Sequence, residues 1–401
     1  MSRKDSTSRR KGGGDFIASH LRDIPRSGIR DFFDIVSTRK GVISLGIGEP
    51  GFRTPWHICE GAIYALERGA TNYTSNLGLE SLRKAIASYV RELFSVAYDP
   101  ASEILVTVGV SEALDLAIRS VVEPGDEVLY HEPCYVCYSP LVTFAHGKAV
   151  AVGTSGDNGF RLTRDMLERK ATDRTKALVM NFPTNPTGAT LRREDVEGIA
   201  GFAVEHDIVV IADEIYSELT FDGSERCSVA SIPGMKDRTI FLHGFSKAWA
   251  MTGFRLGYAC ARPDLIETMM KIHQYSMLCA PILSQKAALE ALKHPRADVE
   301  TMRAGYEQRR NIVHEELNSM GLPCRKPGGA FYAFPYVGGL GMNSKEFALR
   351  LLDDQQVACV PGSAFGPSGE GYLRCAFAGD LEDIREAMRR MAVFVKKIRA
   401  S

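Results

Sequence analysis

The sequence predicts an α/β protein, with a mostly parallel sheet flanked by helices in a large domain and a smaller α+β domain behind it. Short runs rich in β-branched and aromatic residues recur up to position 261: EILVTVG (103–109), EVLYH (127–131), KAVAV (148–152), KALVMNF (176–182), IVVIAD (208–213), TIFLHGF (239–245) and RLGYACA (255–261). Their length and composition are those of buried strands. Amphipathic segments lie between several of them. SEALDLAIRSVV (111–122) puts Ala113, Leu114, Ala117, Ile118 and Val121 on one face, and REDVEGIAGFAVEHD (193–207) is similar. From about residue 290 the pattern changes to a long helical stretch (297–321), two short strands, GGAFYAFP (328–335) and GYLRCAFA (371–378), and a closing amphipathic helix (381–400). Strand, helix, strand in repetition indicates a parallel sheet, which places ligands at the carboxyl ends of its strands.

The chain has 401 residues, more than the roughly 250–300 at which single cores stop growing. We therefore expect residues 52–290 to form the large domain, 291–401 the small one, and 15–51 an arm packing with the small domain, since so short a segment has too little core of its own. Residues 1–14 (MSRKDSTSRRKGGG) are basic and polar and cannot bury enough surface to order themselves. A disordered, solvated tail is the expectation, with a transit peptide or a nucleic-acid-binding arm as alternatives. Lys plus Arg equals Asp plus Glu at 49 each, so no global field draws the chain to nucleic acid or to an anionic membrane. No run approaches the ~20 apolar residues of a membrane helix. Nine scattered cysteines lack the spacing of a disulfide framework and suggest a reducing, cytoplasmic setting. Cys134 and Cys137 form a C-x-x-C pair, but no second pair at metal spacing accompanies it.

Four strand ends carry residues with chemistry. Lys247 follows an apolar run, and the nearest other lysine or arginine is Arg255, eight residues on. Such a lysine either snorkels to solvent or sits in an apolar pocket that lowers its pKa and makes it a Schiff-base nucleophile. Asp213 and Glu214 end a run of five apolar residues. A carboxylate there needs a cation to stay ionised, and a pyridinium nitrogen would serve; a capping or ion-paired aspartate is the alternative. Tyr216, three residues on, can offer its phenol to a hydroxyl on the same ring. In KALVMNFPTNPTG the N-P-T-G turn can hold the short amide of Asn185 rigidly against a ligand. After EILVTVG, Val110, Ser111 and Glu112 open a helix whose free N–H groups suit a phosphate monoester. The G-x-G-x-x-G fingerprint of a dinucleotide site is absent.

Together these segments resemble the fold-type I, class I aminotransferases, the family of aspartate, aromatic and N-acetyl-diaminopimelate aminotransferases, from about Ser27 to the end. The most specific part is Ser246-Lys247 followed by Arg255 in MTGFRLGY, with NPTG and DEIY upstream in the family's order. The resemblance implies pyridoxal 5′-phosphate carried by Lys247 as a Schiff base, with the freed lysine moving the proton at the substrate's α-carbon. It implies that Asp213 keeps the pyridine nitrogen protonated, that Tyr216 and Asn185 bond the phenolic oxygen, and that Tyr135 in EPCYVCY stacks on the ring. Phosphate binding falls to Val110, Ser111 and Glu112 at the helix start, to Ser246 and to Arg255. Tyr73 in TNYTSNLGLESLR matches a residue that reaches the neighbouring subunit's phosphate, which implies a homodimer. Arg374 in GYLRCAFA matches the residue that grips the substrate carboxylate, with Asn185 assisting and Gly48 in SLGIGEP lining the same pocket.

One departure is visible. Three residues before the lysine, where many relatives carry a hydroxyl, stands Gly244, so a phosphate hydrogen bond is either missing or supplied by water. The implied reaction is a ping-pong transfer of the amino group from an L-amino acid, aspartate, aromatic or related, to a 2-oxo acid, with 2-oxoglutarate the usual acceptor. Two rivals share the scaffold: a C–S β-lyase, and a non-catalytic regulator that only holds the cofactor. The sequence does not choose the substrate side chain.

Overall fold

The computed structural model describes residues 16–22, 24, 26, 28–224 and 226–400; the basic segment 1–14 lies outside them. Strands in chain order are β1 (Ile43–Ser44), β2 (Ile104–Thr107), β3 (Glu127–Glu132), β4 (Lys148–Gly153), β5 (Thr175–Met180), β6 (Val209–Asp213), β7 (Thr239–Gly244), β8 (Gly257–Cys260), β9 (Tyr332–Ala333), β10 (Val357–Ala358), β11 (Val360–Pro361) and β12 (Leu373–Ala376). A seven-stranded sheet runs in the order β2-β8-β7-β6-β5-β3-β4. The pairs from β7 through β4 are parallel, whereas β8 runs antiparallel to both its neighbours. The fold is the mostly parallel α/β sheet that the alternation of strand and helix patterns predicts.

The period of two along each strand divides it between two cores. Val128, Val179, Ile211 and Ile240 pack on one face with Leu114, Ala117 and Ile118 of the helix Gly109–Val121. Leu129, Leu178, Val210 and Ala212 face the other side, against Val196, Ile199 and Ala203 of the helix Arg193–Glu205. With both faces covered, these strands carry continuous apolar runs rather than an alternating pattern. Polar residues are thereby confined to strand ends, and the ends of β5, β6 and β7 open on one cavity.

The first strand run ends earlier than its composition suggests. Gly109 adopts φ +75° and begins the helix directly after Val108, whose N–H is taken by the Glu112 carboxylate. Beyond the large sheet, β11-β12-β9 forms a small antiparallel sheet and β1 runs parallel beside β10. A core that includes Val313, Leu317, Phe347, Leu351, Met388 and Phe394 binds these strands to the helices Pro295–Ser319, Ser344–Gln355 and Leu381–Arg399. The strands predicted over 328–335 and 371–378 shrink to Tyr332–Ala333 and Leu373–Ala376. Gly328 and Gly329 instead donate to the Gly188 carbonyl, which pulls that backbone off the small sheet and over the N-P-T-G turn.

Candidate active site

Asp213 ends β6 and is buried. Its Oδ2 accepts from Tyr138 Oη at 3.0 Å and its Oδ1 from the Ile215 N–H at 3.3 Å. Burial raises its pKa to about 6, against the lowering effect of those two bonds and of His243 and Lys247. A protonated ring nitrogen against it would restore an ordinary carboxylate. One strand away, Asn181 follows β5; its Nδ2 donates to the Asp213 carbonyl at 2.7 Å and its Oδ1 accepts from the Asn185 N–H. Asn185 is thereby fixed, and its Oδ1 accepts from Arg374 Nη1 at 3.0 Å.

Arg374 projects from β12 and is 2% exposed. Its Nη2 donates to the Gly46 carbonyl at 2.5 Å, and its guanidinium lies 4.7 Å from the Tyr332 ring centroid and 4.9 Å from that of Phe365. Nε has no partner. A buried, stacked guanidinium with an unused donor is suited to a carboxylate.

Lys247 follows β7. Its Nζ donates to the Gly48 carbonyl at 2.8 Å and lies 5.9 Å from the Tyr216 ring centroid and 5.8 Å from that of Phe331. Burial lowers its pKa to about 8; Glu49 and Asp213 oppose the shift, and Arg374 and Arg255 add to it. An amine so placed is partly neutral near physiological pH, as a nucleophile must be. Lys247 is half-buried, and its amine lines the cavity and bonds the Gly48 carbonyl, which favours the pocket reading over the snorkel. The Tyr216 hydroxyl lies 2.9 Å from that of Tyr332.

Also in the cavity wall, Val110 and Ser111 lie in the first turn of the helix that Gly109 opens. A Cβ on Gly109 would stand 2.8 Å from Arg255 Nη2, and one on Gly257 would stand 2.6 Å from Val110 N. The guanidinium therefore sits directly on the helix start, a cradle that any side chain at 109 would fill. The missing hydroxyl at Gly244 has a steric account: a Cβ there would meet Gly257 Cα, the Leu256 carbonyl and Val110 Cγ2, each at 3.0 Å. Lys247, Asp213, Tyr216, Asn185, Tyr135, Ser246, Arg255, Arg374, Gly48, Val110 and Ser111 all line one cavity of about 610 Å³. A flat ring with a cationic nitrogen, an aldehyde and a phosphate finds a complementary group at each of these points, so the residues fit pyridoxal 5′-phosphate.

One expected cofactor contact, the Glu112 side chain, sits elsewhere. The Glu112 side chain turns away from the cavity: Oε2 takes the Val108 N–H and Oε1 lies 2.7 Å from His273 Nδ1. Only its backbone amide remains at the helix start. Tyr73 is 82% exposed and does not line the cavity of its own chain. Sequence reasoning missed Asn181, Tyr138 and Tyr332, and also Ile29, Ile47, Glu49, Cys137 and Thr252 in the lining. Tyr138 had a signal, since it sits three residues after Tyr135 and thus one turn on, but Tyr332 in GGAFYAFP reads as core.

The family model for aminotransferases of class I and II matches residues 40–391. The chain belongs to this family. It is 47% identical over 377 residues to an aspartate aminotransferase of Pyrococcus abyssi, covering 94% of this chain and 97% of the relative. It is 44% identical over 383 residues to aromatic-amino-acid aminotransferase 2 of Thermococcus litoralis, covering 95% and 98%. The crystal structure of an aromatic aminotransferase from Pyrococcus horikoshii superposes with a TM-score of 0.88 at 45% identity, covering 93% of this chain and all of that one. The protein is thus a class I aminotransferase of fold type I, an enzyme whose substrates are amino acids and oxo acids. Among the described residues of this aminotransferase no helix is long and apolar enough to cross a membrane.

Proposed function

We propose that this aminotransferase binds pyridoxal 5′-phosphate on Lys247 and moves an amino group between an L-amino acid, aspartate, aromatic or related, and a 2-oxo acid, with 2-oxoglutarate as acceptor, by a ping-pong mechanism. The observation that carries this is the convergence of the Lys247 amine, the Asp213 carboxylate and the guanidinium groups of Arg255 and Arg374 on one cavity. When bound, the cofactor supplies an electron sink for the substrate's α-carbon. Asp213, pressed toward neutrality by burial, holds a proton on the ring nitrogen by accepting its N–H. Tyr216 and Asn185 bond the ring's phenolic oxygen, and Tyr135 covers a ring face. Arg255, Ser246 and the backbone amides of Val110, Ser111 and Glu112 bind the phosphate.

Arg374 fixes the substrate carboxylate, with Asn185 and the Gly48 backbone beside it, which turns the α-hydrogen toward the Lys247 amine. That amine, with its pKa lowered to about 8, would take the α-proton and return a proton to the carbon on the far side of the transferred nitrogen, the cofactor's C4′. We further propose a cytoplasmic homodimer in which the exposed Tyr73 reaches the neighbour's phosphate. Within each subunit the division is an arm over 15–51, a cofactor domain over 52–290 and a small domain over 291–401. The pairing of β1 with β10 supports the arm's placement.

Purified protein is expected to be yellow, and borohydride is expected to fix the colour on Lys247, located by peptide mass. A panel of amino donors without acceptor, followed by loss of the visible band, names the donor class. A Lys247→Ala protein that still transaminates overturns the assignment. Release of pyruvate and ammonia from cystathionine without any oxo acid would favour the β-lyase, and bound cofactor with no turnover of any donor would favour the regulator.

A further inference from the structure

Tyr332 lies at the junction of three groups that the proposed reaction uses. It sits in β9 and is completely buried. Its hydroxyl is 2.9 Å from that of Tyr216. A Cβ on Gly48 would stand 2.9 Å from the same hydroxyl, so the phenol presses on the backbone whose carbonyl receives Lys247 Nζ. Its ring lies 4.7 Å from the Arg374 guanidinium. Phe331 packs beside it, with ring centroids 4.8 Å apart.

Proton counting gives the Tyr216–Tyr332 contact a direction. Each phenol has one proton. If Tyr216 gives its proton to the cofactor's phenolic oxygen, the bond between the two tyrosines can only be made by Tyr332 donating to Tyr216. A hydroxyl that accepts a hydrogen bond becomes a better donor itself. We infer that Tyr332 is a positioning residue with two separable parts: its hydroxyl donates to Tyr216 and strengthens that residue's bond to the cofactor, while its ring is the platform that holds Arg374 for the substrate carboxylate. This rests on the cofactor reading above. The charged and titratable groups facing the pair are Arg374 from β12, Asp213 from β6, Lys247 after β7, Tyr135 after β3 and Glu49 after β1.

The test is a pH titration of the visible absorption band in holoenzyme, for the wild type, Tyr332→Phe, Tyr216→Phe and the double variant. A hydrogen bond donated into the ring oxygen stabilises the deprotonated chromophore, so weakening it raises the midpoint. Tyr332→Phe is expected to raise the midpoint by about 0.5–1 unit, the equivalent of one modest hydrogen bond. Tyr216→Phe raises it further, and adding Tyr332→Phe to Tyr216→Phe changes nothing more. Because a phenyl ring still faces Arg374, Tyr332→Phe keeps the donor KM within about twofold, whereas Tyr332→Leu raises it about 3- to 30-fold through loss of the cation–π contact.

A Tyr332→Phe titration that superimposes on the wild type, or a shift of equal size in the Tyr216→Phe background, overturns the hydroxyl's role. An unchanged KM in Tyr332→Leu overturns the platform. Melting temperatures of the apo forms show which variants are folded, and every titration is read below the lowest of those melting temperatures. A wild type with no titrating visible band refutes the cofactor reading and takes this inference with it, whereas a titrating wild type with an unresponsive Tyr332→Phe refutes this inference alone.

Discussion

Replacing Arg374 by alanine separates carboxylate recognition from everything else the cavity does. The guanidinium is 2% exposed and spends two donors on Asn185 Oδ1 and the Gly46 carbonyl, leaving Nε and the remaining N–H groups for a ligand. On the proposed reading a substrate carboxylate would pair with this buried guanidinium through charge-assisted bonds, and truncating one partner of such a pair costs about 2–5 kcal/mol. That corresponds to a loss of roughly 30- to 4,000-fold in kcat/KM for any α-amino acid donor. A primary amine with the same side chain and no carboxylate has nothing to lose. The assay is single-turnover conversion of the bound cofactor, followed by its absorbance, with an amino acid and its decarboxylated amine as paired donors. The amino acid's advantage over the amine is expected to shrink by that factor, and Arg374→Lys, which keeps charge but lacks the fork, is expected to fall between. If both donors lose activity equally, Arg374 acts through the fold and not on the carboxylate, and the assignment of the substrate end of the cavity fails.

Two further outcomes follow from the same geometry. Lys247 has a pKa of about 8 in the fold against an ordinary 10.5, so below about pH 8 the apoprotein carries a half-buried charge that desolvation penalises. Since the unfolded chain binds more protons between those two values, stability rises with pH across that window. Lys247→Met apoprotein is therefore expected to resist urea better than wild-type apoprotein at pH 7, by at most about 3 kcal/mol, with the difference fading by about pH 10.5; urea midpoints at pH 7 and pH 10.5 check it, and a difference independent of pH contradicts it. At the phosphate end, Gly109→Ala puts a Cβ 2.8 Å from Arg255 Nη2 at a residue with φ +75°. The guanidinium must move off the helix start, and the cofactor Kd of the apoprotein, measured by absorbance titration, is expected to rise about 10- to 100-fold.

The large sheet and the ends of its strands were legible because burial on both faces forces an apolar run, so that the first polar residue after it is conspicuous. Asp213 announces itself in this way and Lys247 nearly so, one residue after Ser246, whereas after β5 the first polar residue is Asn181 and the N-P-T-G turn draws attention to Asn185 instead. What the sequence could not convey is which way a side chain turns within the first turn of a helix. Glu112 stands beside Ser111, yet its carboxylate is claimed by its own Val108 N–H and by His273, 161 residues away. The second of those partners exists only after the helix Pro263–Ser276 has packed. The small-domain strands were overestimated for a similar reason, since Gly328 and Gly329 find a partner in the distant Gly188 carbonyl. Tyr332 was invisible because an aromatic inside an apolar run is ordinary core, and its hydroxyl acquires meaning only when β9 is set against Tyr216.

The electrostatics of the cavity argue that it is built around an absent charge pattern and is not merely a gap in the core. Burial shifts Asp213 up, Lys247 down and Arg374 down, so each group is displaced toward its neutral form. A structure selected only for stability would place apolar residues at these positions, because a buried charge without a full partner costs several kcal/mol. A ligand that brought a cation to the carboxylate and an anion to the guanidinium would offset that cost. Perturbed groups that converge in this way are the signature of a functional site. The three shifts are those the proposed reading asks for, in which a ring cation would lie toward β6, a carboxylate toward β12, and between them the carbon that Lys247 would reach.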